Sequence, residues 1–150
     1  MKPLILLLVA FALTTVGCKM FTESWNLAFS GNLAMCLMLC FTALGHFKFT
    51  KGMSMMLPDF MPFKKEVVYA TGVLEILLGI GLLFPSYRSF VGVIIIIFFI
   101  LILPSNIHAA LKSLNYEKGT YDGPGPRYLW FRVPLQLFFI GWVWYFTAVL

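Results

Sequence analysis

Apolar runs of helix length alternate along the chain with short polar breaks. A membrane-spanning helix needs about 20 mostly apolar residues at roughly 1.5 Å rise each. Five runs approach that length, at about residues 3–18, 26–47, 67–84, 90–111 and 128–150. Only Glu75 and Arg132 bring formal charge inside them. Helix is required of such segments, because hydrocarbon cannot satisfy free backbone groups and an open sheet would leave its edges unpaired. The β-branched run from Val93 to Ile97 therefore reads as lipid-facing helix. The breaks carry turn chemistry: Pro58 and Pro62 around Asp59, then Pro85-Ser86, then Gly119 through Pro126 with Asp-Gly-Pro-Gly-Pro. Residues 50–65 mix Met and Phe with Lys, a composition that suits a short amphipathic element lying along the membrane interface; a solvated loop is the plainer alternative.

Composition moves the picture from "buried helices" to "helices in lipid". Of 150 residues 61% are hydrophobic and 11% charged, the mean hydropathy is +0.91, and the 16 Phe outnumber the 11 Lys and Arg. That leaves too little polar surface to cover a water-soluble particle. The net charge of +5 does not point to nucleic acid, because the bases sit between apolar runs instead of clustering on a folded soluble face. Cys18, Cys36 and Cys40 are odd in number and form no Cys-x-x-Cys pair, so they read as packing residues, not as a redox or metal motif. The expected fold is all-α: one transmembrane domain, 1–150, with five spans.

Orientation follows from the bases. With the N-terminus inside, Lys2, Lys48, Lys51, Lys64, Lys65, Lys112, Lys118, Arg127 and Arg132 lie on or near the cytoplasmic side, and only Lys19 and Arg88 face out. The positive-inside rule then gives N-terminus in and C-terminus out. The first run also resembles a signal peptide ending in a loose lipoprotein box, Thr15-Val16-Gly17-Cys18; cleavage there would leave the remaining topology unchanged.

Ionisable groups inside spanning helices cost about 2.5–3.5 kcal/mol on insertion scales, and each calls for a partner. Glu75 lies about nine residues, roughly 13 Å, from the cytoplasmic start of its helix at Glu66. Arg132 enters the last helix from the same side. His46 closes the second run, Asn106 and His108 close the fourth, and Gln136 lies one turn beyond Arg132. Antiparallel spans bring all six to the cytoplasmic half, where they could line one pocket. Thr71, Glu75 and Gly79 share a stripe at i, i+4, i+8, and Arg132 and Gln136 form another. If the stripes face, Glu75 is either ionised against Arg132, a clasp that fixes helix packing, or protonated in an apolar pocket. Facing His46 and His108 could grip a haem, although helix-end histidines more often cap carbonyls. No metal-ligand spacing stands out. Pro104 and Pro134 each remove a backbone bond and kink the helix beside this region.

Gly45-His46-Phe47, Met56-Leu57-Pro58 through Pro62, Tyr69-Ala70-Thr71-Gly72-Val73-Leu74-Glu75 and Pro104-Ser105-Asn106-Ile107 together resemble the DoxX-like family of small bacterial membrane proteins, over about residues 26–148. Ser105 stands where that family more usually has Ala. The resemblance implies a four-helix membrane bundle, here preceded by an extra N-terminal helix, in the bacterial inner membrane. It also implies a link to redox chemistry, since the family takes its name from a small subunit of thiosulfate:quinone oxidoreductase. His46, Glu75 and Asn106 match its recurrent polar positions.

The leading expectation is a pocket for a quinone or similar small amphiphile, with Glu75 and His46 exchanging protons and Thr71, Asn106, His108, Arg132 and Gln136 lining the site. Any electron would need a bound quinone, a haem, or a membrane or soluble redox partner, because the chain has no flavin motif, cluster cysteines or thiol pair. Two other classes remain: a non-enzymatic carrier of lipid or solute, with Met53, Met55, Met56 and Met61 as an adaptable access surface, and an assembly subunit docking another membrane protein or a second copy of this chain.

Overall fold

The structure, a computed structural model, describes residues 2–150 and is all-helical there apart from one isolated bridge between Asn115 and Thr120. Helices α1 (Lys2–Thr22), α2 (Leu27–Lys48), α4 (Lys64–Gly81), α5 (Arg88–Leu111) and α6 (Leu129–Trp144) correspond to the five apolar runs, with a short α3 (Thr50–Met56) between α2 and α4. Three of them, α1, α2 and α5, are long and apolar enough to cross a membrane. Helix α4 gives its first turn to Lys64, Lys65 and Glu66, and α6 has 16 residues before it widens into a π turn over Tyr145–Val149.

Boundaries differ from the apolar runs for local reasons. Helix α1 continues past Cys18 to Thr22, whose hydroxyl donates to the Cys18 carbonyl. Asn26 caps α2 by accepting from the Phe29 amide at 3.1 Å. Helix α4 starts three residues before the expected 67, because Glu66 suits a helix N-terminus, and it ends three before 84, ahead of Pro85. The 50–65 segment is helical only over α3, since Pro58 and Pro62 forbid continuation. Phe63, which leads into α4, takes the left-handed conformation at φ +52°, a strained choice for an aromatic residue.

Helix α2 is central: it packs on α1 and on α4, while α5 packs on α6. The core gathers Leu7, Met35, Met38, Leu39, Leu82, Ile95, Phe99, Phe139 and Val143. The run from Val93 to Ile97 is split between faces: Ile95 is fully buried, whereas Val93 and Ile97 are half exposed. Only the outer part of that run is free to face lipid.

Contacts show which loops share an end. Lys2 reaches Glu117 at 3.3 Å, and Asp59 joins Lys64 at 3.4 Å to Lys112 at 3.1 Å. The N-terminus, the 49–63 segment and the 112–128 segment therefore lie together. At the other end Asn32 donates to the Phe146 carbonyl at 2.8 Å and Ser89 to that of Thr147 at 2.9 Å. Most basic residues collect at the first end; Lys19 and Arg88 lie toward the second.

Candidate functional site

Two polar clusters form, not one. The first lies between α2 and α4, which approach closely because Gly72 has no side chain: a Cβ there would stand 2.8 Å from the His46 Cβ. Glu75 is buried, with Oε1 at 3.4 Å from His46 Nε2 and Oε2 at 3.0 Å from the Thr42 hydroxyl. His46 Nδ1 stands 3.0 Å from both the Val68 carbonyl and the Thr71 hydroxyl. A carbonyl only accepts, so Nδ1 carries its hydrogen. The Thr71 hydroxyl has the Val67 and Val68 carbonyls at 3.0 and 2.9 Å for its own proton. The lone pair of Nε2 then meets a carboxylate oxygen. Both would be bare acceptors unless one proton sits on this pair. A single proton shared by the dyad would make it neutral as a unit, which is the cheapest state for two ionisable groups out of water.

The second cluster lies where the C-terminal end of α5 and the N-terminal end of α6 meet the 112–128 segment. Arg132 Nη2 donates to Asn106 Oδ1 at 2.9 Å. Asn106 is buried, and its Nδ2 has no partner. A buried amide donor left unmade costs about 1–3 kcal/mol. Both residues line a cavity of about 230 Å³ whose wall includes Met56, Tyr116, Glu117 and Tyr128. Gly52 seats the segment that closes it: a Cβ there would fall 1.8 Å from the Tyr116 carbonyl oxygen. Burial, with Glu117 adding to it, pushes the Tyr116 phenol above its ordinary value, so it stays a neutral hydroxyl.

The expectation of one pocket for six groups is corrected on these contacts. Glu75 pairs with His46 and Thr42, not with Arg132, and Arg132 pairs with Asn106. Gln136 donates to the Phe99 carbonyl at 3.0 Å, in the turn before the Pro104 kink, so it serves helix packing. His108 stands apart with a buried Nε2 that has no partner. Both ring nitrogens of His46 are engaged within the first cluster, leaving none free to ligate a haem. Among the described residues no group of three or more His, Cys, Asp or Glu is placed to hold a metal ion. Thr42, absent from the residues expected from the sequence, completes the first cluster; its place one helical turn before His46 is the signal that points to it. Tyr116, Glu117 and Tyr128 come from an irregular segment that no periodicity flags.

A family model described as a domain of unknown function, DUF8561, matches residues 35–147. The chain belongs to the DUF8561 family. The match takes in α3 to α6 and most of α2, so both clusters lie within the DUF8561 domain, and α1 lies outside it. No curated protein and no solved structure matches the chain.

Proposed function

We propose that this DUF8561 protein is a five-pass membrane protein, N-terminus inside, that binds a small amphiphile by its polar head in the Asn106–Arg132 cavity. The observation that carries this reading is the unpartnered, buried Asn106 Nδ2 in a cavity wall beside a guanidinium. A buried donor without a partner gains a full hydrogen bond from an incoming oxygen. The gathering of bases at the cavity end favours placing that end on the cytoplasmic side, as in a bacterial inner membrane. The purified protein should release a chain-bearing small molecule on solvent extraction, detected by mass spectrometry, and Asn106→Leu should release much less. Equal release from both proteins would refute the reading.

A redox role of the kind the DoxX-like resemblance implies, with a quinone as the amphiphile, is the second reading. The one-proton His46–Glu75 dyad favours it, because quinone reduction consumes protons. Against it, neither dyad residue lines the cavity. A quinone-dependent redox signal abolished by Glu75→Gln would support this role; an unchanged signal would remove the dyad from it.

A further inference from the structure

The Asn106–Arg132 cavity has a definite hydrogen-bond polarity. Arg132 offers five N–H groups and no acceptor. By donating to Asn106 Oδ1 it fixes the amide's orientation, so the group left over is the NH₂ and not the carbonyl. The cavity wall therefore carries two donor groups, the guanidinium and the amide nitrogen, and the amide's own acceptor is already used. What suits such a wall is an oxygen that only accepts.

Charge narrows the choice further. Arg132 has no carboxylate partner among the described residues. The one acid in the cavity wall, Glu117, is paired with Lys2 at 3.3 Å, and those two charges cancel. With Glu117 held by Lys2, the half-buried guanidinium is left with only a neutral amide as its partner. A quinone or alcohol oxygen would satisfy the donors but not the charge; a carboxylate or phosphate satisfies both, through charge-assisted bonds about twice as strong as neutral ones. Size sets the rest. An apolar cavity of about 150 Å³ holds a benzene ring, so about 230 Å³ admits an acidic head with a few carbons, and the remainder of a long chain must lie outside.

We propose that this cavity is an oxyanion site, taking the carboxylate or phosphate head of a single-chain amphiphile on Asn106 Nδ2 and Arg132. The assignment rests on the amphiphile-binding reading above and names the class of head. It is tested with the full chain in nanodiscs of neutral phosphatidylcholine, titrated with oleate, lysophosphatidate, oleyl alcohol, decylubiquinone and inorganic phosphate. Oleate or lysophosphatidate should bind at least about tenfold tighter than the alcohol and the quinone, and which of the two acids wins identifies the head. Arg132→Gln should erase that preference, and Arg132→Lys should keep part of it, which separates lost charge from lost folding. Asn106→Asp supplies an internal carboxylate to Arg132 and should abolish acid binding.

The outcomes that overturn it differ from those that overturn the underlying reading. Equal binding of acid, alcohol and quinone sinks the oxyanion assignment and leaves amphiphile binding standing. Inorganic phosphate binding as tightly as oleate keeps the oxyanion and removes the amphiphile. No saturable binding of any probe removes both.

Discussion

Glu75→Gln and Glu75→Ala should behave very differently, and the difference reports the proton held by the dyad. If Nδ1 of His46 carries its hydrogen toward the Val68 carbonyl and a single proton lies between Nε2 and Glu75, a glutamine reproduces every bond. Its NH₂ donates to the bare Nε2, and its carbonyl accepts from the Thr42 hydroxyl. The substitution is isosteric and exchanges one neutral pair for another, so it should change unfolding free energy by less than about 1 kcal/mol. Alanine deletes the partner of a buried imidazole and of Thr42 and leaves a void, for which the cost is about 3–5 kcal/mol. Thermal and denaturant unfolding in mild detergent, followed by near-ultraviolet circular dichroism, measures both. Nitrogen-15 spectra of labelled histidine should show Nδ1 protonated and Nε2 as acceptor in the Gln variant. A Gln variant as damaged as the Ala variant, or a proton on Nε2 with Nδ1 bare, would refute the one-proton dyad.

Gly52→Ala should undock the 112–125 segment, because its Cβ overlaps the Tyr116 carbonyl; overpacking of this kind costs about 1–3 kcal/mol, and limited proteolysis between Gly119 and Gly125 should speed up. Asp59 is held below its ordinary value of 3.8 by Lys112 first and Lys64 second. Its contribution is therefore present above that value and is lost as pH falls through the lower folded one, so Asp59→Asn should lower stability slightly at neutral pH and flatten the acid limb, the two proteins converging at low pH. Cysteines introduced at Ser86 and Lys118 should label from opposite sides of sealed vesicles; labelling from the same side would refute the five-pass arrangement.

The helices were legible because lipid-compatible runs leave little choice: each of the five runs contains a helix, and errors lie at the ends, where Glu66, Pro85 and Thr22 act locally. The charged residues inside the runs, Glu75 and Arg132, were legible as well. Their pairing was not. Which side chains meet depends on how each helix is rotated about its axis, and two facts set this that hydropathy does not record. Gly72 lets α2 come within contact of α4 and turns His46 onto Glu75. Helix α6 lies on α5 instead of α4, which gives Arg132 to Asn106. The cavity wall was the least visible part, because Tyr116 and Tyr128 are delivered by a segment rich in Gly and Pro whose path follows from its own turns, not from any repeat.

Separating the clusters changes what each can do. The dyad is satisfied internally: Nδ1 bonds Val68, Oε2 bonds Thr42, and Nε2 faces the Glu75 carboxyl at 3.4 Å. A group so satisfied resists change and tends to fix helix register, which is how a neutral polar pair acts between helices in lipid. The second cluster is the reverse case, since Arg132 and Asn106 together leave one buried donor unmade and one charge uncompensated. Unspent hydrogen-bonding capacity is what a binding site must have before its ligand arrives, and a purely structural contact would lose it during folding. The same logic ranks the variants. Changes at Glu75 should show first in stability and changes at Asn106 first in binding, so a stability loss at Asn106→Leu larger than at Glu75→Ala would invert the assignment of roles.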